Sequence, residues 1–315
     1  MPVSVELLEE SAKQNAVIEE LLAALPSAHT VPVETTRRQR EEGASWTGPV
    51  VHSDRASTRA IAGPAGPIEL RVVVPERVEG VFLHFHGGGW TLGGADHQDL
   101  LLTTLADAVS VAVVSVEYRL APEHPFPAGP DDCEAAAMWL VEHAQREFGS
   151  SRLLIGGESA GAHLAALTLL RLRDRHRIRG AFAGANLVFG GYDLSLTPSA
   201  RLWGERNLIL STPIVEWFAD MFLPSTTQEE RRSPEISPLY ADLADMPPAL
   251  FTVGTLDPII DDSLFMAARW SAAGNDATLR VYPESVHGFI AFPTGITLLA
   301  AESMLAFLRG ALDRA

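Results

Sequence analysis

Arg152-Leu153-Leu154-Ile155-Gly156 is a short apolar run, and Gly157-Glu158-Ser159-Ala160-Gly161 follows it at once, before apolar residues at helical spacing begin at Ala160. A strand that passes straight into a helix turns tightly, so the residues two before and two after its centre must be small, as Gly157 and Gly161 are. Such a turn holds Ser159 in a strained backbone conformation with its hydroxyl raised above the sheet edge. A serine N-cap in a glycine-rich turn is the plainer reading of the five residues. Their place between strand and helix favours the elbow.

Working outward, Ile68 to Val74 and Gly80 to Phe85 read as strands, Leu100 to Val109 as a helix and Val111 to Tyr118 as a buried strand. Helix Asp131 to Phe148, helix Ala160 to Arg175 and strand Gly180 to Val188 continue the alternation. After an interruption, strand Ala249 to Val253, helix Asp262 to Ala273, strand Thr278 to Tyr282 and helix Ile296 to Leu312 resume it. Alternation of this kind predicts an α/β fold: a mostly parallel sheet with helices on both faces and ligands at the carboxyl ends of the strands. Val5 to Leu25 has the spacing of one or two amphipathic helices, and His29 to Thr58 reads as loop or arm. The interruption, rich in Trp203, Trp217, Phe218 and Phe222, reads as an inserted lid.

Composition narrows the function. The chain has 315 residues, 47% apolar and 20% charged, with 24 basic against 40 acidic side chains for a net charge of −16. That describes a globular protein with a large core, and the acidic surplus disfavours nucleic-acid binding, which needs clustered cations. The basic cluster Arg171 to Arg179 ends a helix, where the dipole favours it, and reads as a solvated face. Cys133 is the only cysteine, so no intrachain disulfide forms. The first ten residues lack the basic and apolar regions of a secretory signal, and no unbroken apolar run approaches the ~18–20 residues of a membrane span. A cytoplasmic protein without a membrane span is the expectation.

His86-Gly87-Gly88-Gly89-Trp90 also follows a strand directly. Consecutive glycines leave N–H groups uncovered, and a tetrahedral intermediate needs donors aimed at its developing oxyanion. Gly88, Gly89 and Ala160, the last opening the helix behind the elbow, are the candidate donors. His84 and His86 lack the spaced partners of a metal site and read as structural. A serine hydroxyl needs an imidazole to take its proton and a carboxylate to orient that imidazole. Among ten histidines, His287 in Ser285-Val286-His287-Gly288-Phe289 lies between a strand and the last helix, at the edge where the elbow sits. His163 is inside an apolar helix and reads as packing; His97, His124, His143 and His176 are less well placed. Asp257, at a strand end before Pro258, is the preferred acid, with Glu284 its rival and Asp261 and Asp262 read as helix-start residues. Trp90, Phe218, Phe222, Ile259 and Phe289 are candidate walls of a substrate pocket, or ordinary core.

Together with Tyr118-Arg119-Leu120-Ala121-Pro122-Glu123-His124-Pro125-Phe126-Pro127-Ala128, Asp257-Pro258 and His287-Gly288-Phe289, these motifs resemble the bacterial hormone-sensitive-lipase-like (family IV) esterases of the α/β-hydrolase fold. The resemblance spans most of the chain. It implies an eight-stranded, mostly parallel sheet with a helical cap: N-terminal cap helices over 1–45, a catalytic core over 46–189 and 236–315, and a cap insertion over 190–235. It further implies a serine carboxylesterase acting without cofactor or metal on short to medium acyl esters, a small-molecule ester as its partner, and frequent dimerisation through the sheet edge. Ser159, Asp257 and His287 take the catalytic positions, and Gly88, Gly89 and Ala160 the oxyanion hole. Glu158 departs from the family, many of whose members have Asp beside the nucleophile. An amidase or peptidase using the same triad, and a small-molecule receptor on a catalytically dead fold, are the competing classes; plant receptors of the latter kind lack the catalytic histidine.

Overall fold

A computed structural model describes residues 3–45 and 48–314 of the chain. The expected boundary between 45 and 46 adjoins Trp46 and Thr47, which lie outside the described residues, as do Met1 and Pro2 of the N-terminal reading.

Eight strands form one sheet in the order β1-β2-β4-β3-β5-β6-β7-β8. They are β1 (Ala56–Gly63), β2 (Gly66–Val73), β3 (Gly80–Phe85), β4 (Val111–Val116), β5 (Leu153–Glu158), β6 (Phe182–Val188), β7 (Ala249–Leu256) and β8 (Ala277–Val286). β1 with β2 and β2 with β4 pair antiparallel, and every pairing from β4 to β8 is parallel. The three central strands β3, β4 and β5 are buried at every residue, as strands covered on both faces must be. Each Val, Leu or Ile so buried contributes about 1.5–3 kcal/mol.

Nine α-helices are found among the described residues: α1 (Val5–Ala23), α2 (Val33–Glu41), α3 (Asp99–Val109), α4 (Ala128–Phe148), α5 (Ala160–His176), α6 (Pro198–Leu202), α7 (Thr212–Phe222), α8 (Ile260–Ala272) and α9 (Gly295–Asp313). Packing of α5 against β3, β5 and β6 leaves it buried at every residue from Ala160 through Arg173. This explains why its apolar pattern wraps the whole helix.

Several sequence expectations are corrected. The stretch read as loop from His29 to Thr58 contains α2 and the start of β1, and β1 was not foreseen. Only Val33 is buried in α2 and only Ile61 in β1, so neither shows an apolar period. Arg171 and Arg173 are not solvated. Arg171 Nη1 donates to Asp131 at 2.9 Å and to Glu134 at 3.1 Å, and Arg173 meets Asp174 and the Ala244 carbonyl. Ion pairing lets both be buried at the end of α5. Finally, α9 is long and apolar enough to cross a membrane, with a mean hydropathy of 1.4. Glu302 and Arg309 break its apolar pattern, so no unbroken run marks it in the sequence. In the structure it packs against β5, β6, β7, β8, α1 and α3, burying Ile296, Ala300, Leu308, Ala311 and Leu312.

Candidate active site

Four parallel strands end on one edge, and each is followed by a segment of the site. After β5, Ser159 takes φ 55° and ψ −117°, a region that side chains other than glycine rarely occupy. Its N–H donates to the Val188 carbonyl at 2.9 Å, fixing the turn to β6. A Cβ at either Gly157 or Gly161 would overlap the Phe85 carbonyl oxygen at the end of β3. The small residues of the motif are therefore demanded by a neighbouring strand as well as by the turn itself.

After β7 and β8 come Asp257 and His287. Their pairing shifts register between Gly254 and Leu256, and the shift precedes both residues. His287 Nε2 lies 2.9 Å from Ser159 Oγ, and His287 Nδ1 lies 2.8 Å from Asp257 Oδ2. The other Asp257 oxygen accepts from the Ile259 N–H at 3.0 Å, so the buried carboxylate is held at both oxygens. Phe189 meets the imidazole of His287 edge-on, ring centroids 4.8 Å apart. Glu284, the rival acid, is instead engaged through its backbone: its N–H donates to Thr255 Oγ1 and its carbonyl accepts from Asn15.

After β3, the carbonyl of Gly88 accepts from Leu92 at 2.8 Å and from Thr91 at 3.2 Å, closing a tight turn. Gly88 has φ 122°, and a side chain there would strike Leu92. Among the described residues, the N–H groups of Gly88 and Gly89 have no intramolecular acceptor. That of Ala160, the first residue of α5, has none within its helix. The loop is braced from below. His86 Nδ1 contacts the Gly87 carbonyl at 2.9 Å, its ring stacks on Tyr118 at 4.2 Å, and burial pulls its pKa down to about 3, keeping it neutral. His84 joins Ser115 to Glu158, 3.0 Å from the nearer carboxylate oxygen. Glu158 thus faces a histidine behind the elbow and is not part of the chain of contacts from Asp257 through His287 to Ser159.

A cavity of about 340 Å³ opens over Ser159 and His287. Its walls come from both segments outside the α/β alternation: Leu22 and Leu25 at the end of α1, residues of α2, and Ile209, Ile214 and Phe218 of the insert between β6 and β7. Of the five expected wall residues, only Phe218 lines it. Trp90 stacks on Phe222 at 4.8 Å and donates from Nε1 to His163 Nδ1 at 3.1 Å, while His163 Nε2 meets the Ile236 carbonyl; these rings form core beneath the loop. Burial takes His163 down to about 4. Ile259 packs behind Leu210 and Ile214, and Phe289 against Tyr282 and Phe189. Aromatic and aliphatic residues near a site serve core and cavity alike, so composition did not separate them. Phe189 was missed although it stands one residue past β6, on the same edge as the other site residues. Asp262 is also corrected. It lies in the first turn of α8, yet its buried carboxylate accepts from the N–H groups of Tyr192 and Asp193 and from Thr197, anchoring the insert.

A family model described as alpha/beta hydrolase fold matches residues 82–291, from β3 to beyond His287. The chain is 35% identical over 261 residues to the carboxylesterase NlhH of Mycobacterium tuberculosis, covering 78% of this chain and 79% of that one. The chain belongs to the hormone-sensitive-lipase-like esterases of the α/β-hydrolase fold. Within this family it is also 36% identical over 251 residues to the carboxylic ester hydrolase LipN of the same organism, a match spanning 77% of this chain and 66% of LipN. Among solved structures of these esterases, that of a hyperthermophilic esterase from Pyrobaculum calidifontis has a TM-score of 0.84 and 29% identity, covering 98% of this chain and 99% of that one.

Proposed function

We propose that the chain is a serine carboxylesterase in which Ser159 is the nucleophile, His287 the general base and acid, and Asp257 the residue that orients the imidazole. The carrying observation is the unbroken contact from Asp257 through His287 to Ser159, at 2.8 and 2.9 Å. Ser159 Oγ attacks the ester carbonyl as its proton passes to His287 Nε2, and Asp257 stabilises the imidazolium through Nδ1–H. The N–H groups of Gly88, Gly89 and Ala160 receive the oxyanion, each donor worth roughly 10²–10³ in rate. Collapse of the tetrahedral intermediate returns the proton to the departing alkoxide and leaves an acyl-serine. A water deprotonated by the same imidazole then releases the acid.

The cavity is at the small end of ligand sites, which supports short to medium acyl chains. Residues 1–45 and 190–235 act as the cap, a division supported by the lining they share. A cytoplasmic location, to which the lone buried Cys133 is suited, and pairing of two copies through the sheet edge belong to the same proposal.

The test is labelling with a fluorophosphonate together with turnover of p-nitrophenyl acetate, butyrate and decanoate and of the matched anilides. The expected result is stoichiometric labelling, ester turnover falling off at decanoate, little anilide turnover, and loss of several orders of magnitude in kcat for Ser159→Ala. Ester hydrolysis by Ser159→Ala at the wild-type rate would overturn the assignment, and faster hydrolysis of the anilides would make the enzyme an amidase.

A further inference from the structure

Arg40, in the last turn of α2, is among the residues bordering the cavity over Ser159, together with Gly93, Gly94, His97 and Gln98. Its charge acts on the imidazoles of His86 and His97, which places the guanidinium on the side of the cavity formed by the glycine loop. Ile209, Ile214 and Phe218 make another part of the lining apolar, with Phe218 packed against Gly89.

Among the described arginines that are not exposed, Arg40 is the one without a partner. Arg37 on the same helix meets Glu123, Arg71 meets Asp99, Arg119 meets Asp132 and Arg171 meets Asp131 and Glu134. Arg40 has neither a hydrogen bond nor a carboxylate within 4 Å among the described residues, in a chain with a net charge of −16. Asp96, beside Gly94, is engaged by His52 at 3.4 Å and approached by His97 at 3.9 Å, and Glu158, the acid among the residues lining the cavity, is held by His84 at 3.0 Å. Arg40 is half-buried, and an unpaired charge partly withdrawn from water carries a desolvation cost. Burial draws this guanidinium down to about 10, so it is still cationic at neutral pH. A planar fork of N–H donors beside an acyl-transfer site suits a carboxylate, which it binds through two parallel hydrogen bonds.

We propose that Arg40 receives a carboxylate carried on one arm of the ester, so that the enzyme prefers monoanionic esters to neutral ones of the same size. This rests on the esterase reading above. The carboxylate comes from either arm of the substrate: from the acid, as in a half-ester of a dicarboxylic acid, or from the alcohol, as in an ester of a hydroxy acid.

Two substrate pairs separate the arms: p-nitrophenyl hydrogen glutarate against p-nitrophenyl pentanoate for the acyl side, and 4-acetoxybenzoate against phenyl acetate for the alcohol side. Wild type, Arg40→Gln and Arg40→Lys are compared at fixed ionic strength, with rates expressed per fluorophosphonate-titrated site so that misfolded protein is not counted. For one pair, the ratio of kcat/KM for the anionic over the neutral ester is expected to fall tenfold or more in Arg40→Gln, mainly through KM, with partial recovery in Arg40→Lys. A ratio that changes less than twofold in both pairs overturns the inference while leaving the esterase reading intact. Failure of the wild-type protein to hydrolyse any of the four esters overturns that reading, and the inference with it.

Discussion

Ser159 is held at φ 55° in a conformation that costs about 1–3 kcal/mol, and the surroundings that enforce it are specific. The decisive neighbour is the Phe85 carbonyl, against which Gly157 and Gly161 both close. Gly161→Ala must therefore push β3 and β5 apart or unwind the start of α5. A stability loss of about 1–3 kcal/mol is predicted, the usual cost of overpacking. Fluorophosphonate labelling should slow at least a hundredfold, and wild-type labelling by this variant would show that the turn does not need the contact. At this scale much was legible. Ser159, Asp257 and His287 each stand at a strand end in motifs whose glycines and proline mark them off from surrounding core. Trp90, Phe222, Ile259 and Phe289 were not distinguishable, because burial in a core and burial against a substrate select the same side chains. Arg40 was passed over for a different reason: an arginine in a polar helix has nothing in its neighbours along the chain to show that it faces a cavity.

At the scale of elements, α2 has too little apolar surface to hold itself in place, so its attachment rests on Arg37. That side chain donates to the carbonyls of Thr91 and Ala121 and pairs with Glu123, joining the helix to the segments that follow the glycine loop and β4. Its exposed ion pair adds little, whereas each hydrogen bond from a charged donor to a carbonyl contributes about 1.5–3 kcal/mol. Arg37→Met is predicted to raise amide exchange across residues 33–41 and to lower kcat/KM about tenfold through a loosened glycine loop. Unchanged exchange in that helix would count against Arg37 as its tether. The same reasoning explains what the sequence did not reveal. The central strands and α5 carry their instructions in their own apolar patterns, while α2 and the edge strand β1 are specified by partners distant in the chain.

For the whole molecule, buried ionisable groups set the response to acid. His163 titrates near 4 in the folded protein and His86 near 3, against about 6.5 when exposed. As pH falls below 6.5 the unfolded chain takes up protons at both positions that the folded chain refuses, so stability declines down to pH 3–4. Asp262 works in the opposite sense, because burial raises it to about 7 and the folded state already holds that proton. The histidines outnumber it, so these three groups together predict a net loss of stability on acidification. His163→Gln should lose less than the wild type between pH 6.5 and 4.5, by about 2 kcal/mol, in urea denaturation at the two pH values. Equal losses would show that His163 is not the titrating group. The long separation of the relay along the chain carries a different consequence. Ser159 and His287 are 128 residues apart, and the acid and base of the proposed mechanism stand at the ends of the last two strands. During synthesis the serine-bearing turn emerges well before either partner, so a nascent or prematurely terminated polypeptide carries the serine without its activation. On the proposed mechanism, reactivity begins only once translation has delivered the final strand.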